Sequence, residues 1–291
     1  MMNENNCDVN KFENKGPFDL YHFEHDDLNK HHFFRKITEH RSKQKDPKAF
    51  VQLIDILENA TGSANGRVWV PIKGNVMMIM GLPMKFKDIY EDEIFPMKIP
   101  TAILETYNHF APGKFGGKLP NDIICLEHGK KVAGVLIRKF DGFVLIHLGA
   151  NIVAHPSNDQ LRKDNYGACC LKEHCDKVPS TVEFVTVLYH KIFEVHNKLD
   201  TIEKVIEVCN KNVNSYQKGV KISINNPNAD IQNDGAFWTV QNPKAYIKID
   251  YNGLRYQFGS SCYDSVFYST EGDPDNPEDY FASHEFVKPE E

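Results

Sequence analysis

Between Asp122 and Val153 three apolar segments of strand length follow one another almost without interruption: DIICLE, KVAGVLIRKF and FVLIHLGANIV. The last two are separated only by Asp141-Gly142, a dipeptide suited to the tight turn of a β-hairpin. Three strands in succession impose a sheet, and the rest of the chain has to cover it. AFVQLIDIL (49–57) and NVMMIMGL (75–82) fit buried strands, although periodicity alone does not separate a buried strand from a buried helix at this length. FDLYHF (18–23) alternates as an edge strand does, and HHFFRKITEH reads as a short helix.

Helix spacing is clear at Ile99, Ala102, Ile103, Thr106, Tyr107 and Phe110, with Pro100 expected in the first turn, where its missing N–H is harmless. Two further helices carry start signals, Ser180 with Glu183 and Asp200 with Glu203. After Tyr216 the texture changes to short β-like pieces, GVKISI, AFWTV, AYIKID, LRYQF and SVFY, at the spacing of a small barrel or sandwich. The expected layout is a disordered segment over 1–17, an α+β domain over 18–214, a small β domain over 215–270 and an acidic tail over 271–291.

Apolar residues make up 41% of the 291, enough for a real core, and no apolar run approaches the roughly 18 residues a membrane span needs. The polar, Asn-rich start shows no secretory signal, and seven scattered cysteines read as reduced thiols, so a cytoplasmic protein is expected. The net charge of −6 argues against nucleic acid or an anionic membrane as partner. Its placement qualifies that: eight acidic residues and one lysine give the segment from Glu271 to Glu291 a charge of −7, leaving +1 for the preceding 270 residues. A nearly neutral body can host a cationic pocket.

The stretch richest in chemistry is Lys118-Leu-Pro-Asn-Asp122, followed at strand distance by Lys131-Val-Ala-Gly134-Val-Leu-Ile137. These linked motifs resemble the biotin–protein ligase family, which carries Lys-Trp-Pro-Asn-Asp, an apolar strand, a turn, and a Lys-(Leu/Ile)-(Ala/Gly)-Gly-(Ile/Val)-Leu strand. Other landmarks fall in order. Asn65-Gly66-Arg67-Val68-Trp69 resembles the end of the family's biotin loop, Gly74-Asn75-Val76 opens the next strand, and Leu148-Gly149-Ala150-Asn151-Ile152 resembles the strand end lining the adenosine site. Asp26-Asp-Leu-Asn29 sits where the family has Asp-Ser-Thr-Asn. The resemblance spans roughly residues 18–270, with no helix-turn-helix ahead of it, so a DNA-binding role is not expected.

The resemblance implies a mixed β-sheet flanked by helices, of the class II aminoacyl-tRNA synthetase-like type, with a small SH3-like C-terminal barrel. It also implies a reaction using ATP, Mg²⁺ and biotin: a carboxylate attacks the α-phosphorus, and a lysine of a carboxylase's biotin-carrier domain attacks the resulting acyl-adenylate. Such chemistry needs positioning and fixed positive charge rather than an enzyme nucleophile. Lys118 would bridge the carboxylate and the α-phosphate, and Arg67 would hold phosphate or close the loop. Asn121 and Asp122 would order the motif turn. Gly134 and Gly149 would let backbone approach the ligand, and Trp69 would wall the biotin tail or the adenine. Asn29, Gly66 and Ala150 complete the expected contacts, without any protein-bound metal site. The carrier would dock as a β-rich partner extending an exposed sheet edge. Monomer and homodimer are both compatible with the resemblance.

The chain departs from the family in three places. Gly62 and Ala64 stand where the loop has arginines, Asp27-Leu28 replace a Ser-Thr pair, and Val153 replaces an asparagine. A pocket without those donors discriminates less steeply. A ligase for lipoate or another acyl acid and a non-catalytic binding module therefore stay open beside a biotin ligase. Cys169, Cys170, His174 and Cys175 lie within seven residues, with Cys125 and His128 elsewhere; adjacent cysteines suit one tetrahedral ion poorly, so thiols in a surface loop are expected. His31-His-Phe-Phe34 likewise reads as an element's surface.

Overall fold

Period-two alternation along the apolar runs sorts their side chains to two faces of one sheet. A computed structural model describes residues 12–26, 33–57, 69–83, 95–118, 122–161, 167–201, 204–205, 207–208, 220–224, 237–242, 246–251, 254–259 and 266–270. Eight strands form a mixed sheet: β1 (Glu13–Asn14), β2 (Phe18–Asp26), β3 (Ala49–Leu57), β4 (Val76–Pro83), β5 (Phe115–Lys118), β6 (Asp122–Cys125), β7 (Lys131–Phe140) and β8 (Phe143–Ala150). Their order is β1-β2-β3-β4-β8-β7-β6-β5. β2 and β3 are parallel, with α1 (Phe33–Arg41) in the connection between them, and every other adjacent pair is antiparallel. The expected hairpin joins β7 to β8, and positive φ at Asp141 (43°) and Gly142 (77°) is what its turn requires.

One face of the sheet carries the main core. Val51, Leu53, Met78, Met80, Ala133, Val135, Ile146 and Leu148 pack there against α2 (Phe95–Phe110) and α3 (Thr181–Lys198), whose buried stripes include Ile103, Tyr107, Phe184 and Leu188. The residues between them in sequence face the other way. Tyr21, Phe50, Ile79, Phe143 and Leu145 are covered by Phe33, Phe34 and Ile37 of α1. Tyr107 is fully buried, which pushes its phenol well above the ordinary range; it stays protonated and donates to the Val132 and Asn151 carbonyls (3.2 and 3.3 Å).

Four expectations are corrected. β1 lies inside the segment read as disordered, because the turn at Gly16 lets a two-residue strand pair with β2. α2 begins at Phe95, so Pro100 is interior and deletes one helical hydrogen bond. Lys98 in its first turn is only 2% exposed. Phe33 and Phe34 are core residues rather than an element's surface. Beyond α3, residues 204–205 and 207–208 are helical, but Thr201 accepts the Lys204 N–H (3.3 Å) while Asp200 pairs with the Lys204 ammonium. Ser180 caps α3 as expected, accepting from the Glu183 N–H at 3.1 Å.

The C-terminal pieces are strands: β9 (Val220–Ile224), β10 (Phe237–Asn242), β11 (Tyr246–Tyr251), β12 (Leu254–Gly259) and β13 (Val266–Thr270). β10, β11 and β12 form an antiparallel meander and β13 pairs with β9. Whether they close as the expected barrel lies outside the described residues. Among the described residues no helix is long and apolar enough to cross a membrane.

Candidate functional site

The residues singled out by the linked motifs fall on one line across the sheet. Lys118 pairs with Asp122, Asp122 with Gly134, Gly134 with Gly149, and Gly149 with Met77, crossing β5, β6, β7, β8 and β4 in turn. Directly paired residues share a face, and Gly134 and Gly149 lie opposite the main core, to which their neighbours Ala133 and Ala150 belong. α1 covers the part of this face around Phe50, Ile79 and Phe143. The row lies beyond it.

A β-bulge brings in Lys131, which opens the second motif but had no role assigned to it. Ile123 pairs with Ala133 but Ile124 pairs with Lys131, so β7 carries one extra residue at Val132. Val132 and Ala133 consequently both enter the main core, and Lys131 is turned to the face of Gly134. Its ammonium lies 2.6 Å from Asp122 Oδ1 and 6.0 Å from the centre of the Trp69 ring. The carboxylate is buried while the lysine side chain is one-third exposed, so the pair presents its cationic end to the surface. Two consecutive core residues after a strand's first lysine were the signal available in the sequence.

Trp69 forms the other half of the site. Its indole lies flat on Gly149, where an added Cβ would come within 2.6 Å of Cδ2 and Cε2. It packs with Phe23, Ile54 and Met77 into a small apolar cluster apart from the two main cores. The indole N–H is buried with no hydrogen-bond partner among the described residues, a donor available to a ligand acceptor. The arrangement is thus an apolar wall beside a lysine–carboxylate pair. It suits a molecule with an apolar stem and an anionic end.

Asp122, Gly134, Gly149 and Trp69 are brought together, and Lys118 ends β5 in the same row. Asn29, Gly66, Arg67 and Asn121 lie outside the described residues, as does Lys118 beyond its backbone. The Ala150 side chain is packed in the main core on the opposite face. Trp69 lies over Gly149, and Lys131 lies over Gly134, where its Nζ would be 2.8 Å from an added Cβ. The chain's own side chains occupy that space.

This geometry yields a direct test. Gly149→Ala is expected to displace Trp69 and cost about 1–3 kcal/mol, the usual range for overpacking. In a Trp238→Phe background, where Trp69 is the remaining tryptophan, its emission should shift to the red. Unchanged emission would show that the indole does not rest on Gly149.

Among known proteins, no family model matches this chain and no curated protein matches it by sequence. Solved structures do match. Among the described residues, an eight-stranded mixed sheet with two helices on one face and one on the other is the fold shared with the catalytic domain of solved biotin protein ligases. Biotin protein ligases are among the matching structures. The Aquifex aeolicus enzyme in complex with biotin and ATP superposes with a TM-score of 0.60 at 18% identity, over 87% of this chain and 99% of that one. The Leishmania major enzyme in complex with biotin gives 0.57 at 18% identity, over 84% and 99%. Biotin acetyl coenzyme A carboxylase synthetase from Helicobacter pylori, with bound biotinylated ATP, gives 0.53 at 16% identity, over 82% and 99%. The chain has their fold.

Proposed function

We propose that the protein is an ATP-dependent biotin–protein ligase that forms biotinyl-AMP and transfers biotin to a lysine of a carboxylase's biotin-carrier domain. The observation carrying this reading is the single row Lys118–Asp122–Gly134–Gly149, in which two motifs linked only by spacing in the sequence meet on one sheet face. Relatives of this fold hold biotin, ATP or biotinyl-5-AMP.

In this reading the apolar stem of biotin lies along Trp69, Met77 and Ile54, and its carboxylate reaches the cationic side of the row. The carboxylate oxygen attacks the α-phosphorus and pyrophosphate leaves. The carrier lysine then attacks the carbonyl of the mixed anhydride, and AMP departs. Lys118 and Lys131 offset the charge that builds up as a carboxylate approaches a triphosphate, and Asp122 holds Lys131 in place. Asp122 is paired with Lys131; Mg²⁺ arriving with ATP would add to the charge offset that Lys118 and Lys131 supply. The carrier approaches the edge strand β5, and the reaction is placed in the cytoplasm.

Side chains over both glycines are the observation that favours a second reading, a non-catalytic binding relative. ATP–pyrophosphate exchange decides between them, with biotin, lipoate and octanoate compared. Exchange with biotin alone is the expected result, and Lys118→Ala should lower it about 10²–10³-fold, the usual loss when one charge-stabilising donor is removed. Exchange only with lipoate or octanoate would move the reading to that acid. Folded protein that exchanges with none of them would overturn the ligase.

A further inference from the structure

On the main-core side of β6, opposite the row, two cysteines and two histidines from distant parts of the chain converge. Cys125 ends β6, and His128 lies in the turn that follows, which is closed by the Gly129 N–H donating to the Cys125 carbonyl and the Cys125 N–H donating to the Lys130 carbonyl (both 2.9 Å). Cys169 arrives on the 167–171 segment, tied to β7 by its N–H donating to the Lys131 carbonyl (3.0 Å). His174 ends the short 3₁₀ turn Leu171–His174. The four ligand-capable atoms lie within 4.8 Å of one another. Cys125 Sγ and His174 Nε2 are 3.4 Å apart.

The chemistry and the spacing agree with one tetrahedral cation. Zinc with sulfur at about 2.3 Å and nitrogen at about 2.0–2.1 Å sets its ligand atoms about 3.3–3.8 Å apart, so the cluster needs a contraction of about 1–1.5 Å at most. Two thiolates with two imidazoles are borderline-soft donors, suited to zinc rather than to the oxygen-seeking Mg²⁺. The sequence spacing, Cys125-x₂-His128 and Cys169-x₄-His174, is that of two paired units at a distance. Both cysteines are buried and both histidines half-buried, which corrects the surface-loop expectation. The objection from adjacent cysteines also falls: Cys170 is turned to the Glu173 carboxylate (3.2 Å) and takes no part. A cation would replace weak contacts of these atoms, among them the Lys130 N–H to His128 Nδ1 (3.3 Å) and the Cys169 thiol to the Lys130 and Lys131 carbonyls (3.4 and 3.8 Å).

We propose that Cys125, His128, Cys169 and His174 form a structural zinc site that locks the β6–β7 turn to the 167–174 segment. The site fixes the end of the strand whose first residue is Asp122. It stands independently of the ligase reading.

The experiment uses the full chain, purified under reducing conditions without chelator. The expected result is one zinc per chain by elemental analysis. Cobalt(II) added to the metal-depleted protein should give tetrahedral visible bands and thiolate charge transfer. Cys125→Ser and His174→Ala should abolish the cobalt spectrum, whereas Cys170→Ser and Cys175→Ser should retain it. Wild-type protein that is folded by circular dichroism yet binds neither metal would overturn the site, without relying on any variant. So would metal retained at full stoichiometry by a folded Cys125→Ser/Cys169→Ser protein.

Discussion

Asn75→Ala is expected to destabilise the protein by about 3–5 kcal/mol, from the cost of about 1–3 kcal/mol for each buried polar group left unpaired. Asn75 is 1% exposed and sits at the entrance to β4. Its Oδ1 accepts the N–H groups of Ile152, Val153 and Ala154 at 2.9, 3.0 and 3.4 Å. Its Nδ2 donates to the Ala154 carbonyl at 2.8 Å and to Asn151 Oδ1 at 3.3 Å. One amide thereby fastens the chain that leaves β8 to the start of β4. Alanine removes all five bonds at once. Aspartate keeps the acceptor but sets a second oxygen against the Ala154 carbonyl and Asn151 Oδ1, so Asn75→Asp should not restore the loss. Urea unfolding measures the cost, and amide exchange at Ile152 and Val153 should accelerate. A loss below about 1 kcal/mol in Asn75→Ala would show that the surrounding groups re-pair elsewhere.

Arg41→Ala should cost a similar amount, about 3–5 kcal/mol, for the electrostatic reason that one partner of a buried pair is removed. Arg41 lies in the last turn of α1, 4% exposed. It donates to Asp19 Oδ2 at 2.8 Å, to the Tyr21 hydroxyl at 2.9 Å and to the Lys48 carbonyl at 2.9 Å. Lys48 approaches the other Asp19 oxygen at 2.7 Å, so the buried carboxylate is held by two cations. Removing Arg41 strips Asp19 of its buried partner. A lysine there cannot serve three acceptors in one plane, so Arg41→Lys should recover little. The double variant Asp19→Leu/Arg41→Met should be much more stable than Arg41→Ala, since well-packed apolar replacements of a buried pair are often neutral or better. A double variant less stable than the single would contradict this account.

The sheet was legible wherever alternation and turn chemistry agreed. The hairpin at Asp141-Gly142, the strands on either side of it and the Ser180 cap all stand where expected. The site was legible as a pair of motifs, because strand spacing carried Lys118, Asp122 and Gly134 to adjacent positions. Lys131 was not, because a bulge changes which face a residue occupies without changing its neighbours in sequence. The zinc ligands escaped for a related reason. Cys170 beside Cys169 suggested one crowded loop, whereas the second half of the cluster comes from the turn after β6, 41 positions before Cys169 at His128. The start of α2 was missed because periodicity puts Pro100 in a first turn, where proline is harmless, whereas it lies inside the helix.

The order of strands has a consequence for assembly. β1–β4 and β5–β8 are each contiguous in sequence, and the two halves of the sheet meet at a single seam, from Val76 opposite Ala150 to Pro83 opposite Phe143. Trp69, Met77 and Ile54 come from the first half, while Asp122, Lys131, Gly134 and Gly149 come from the second. Neither half possesses the site. A molecule bound against both the indole and the lysine bridges the seam, and its binding energy adds directly to the free energy that keeps the halves together. Substrate saturation would then register as mechanical cohesion of the whole sheet.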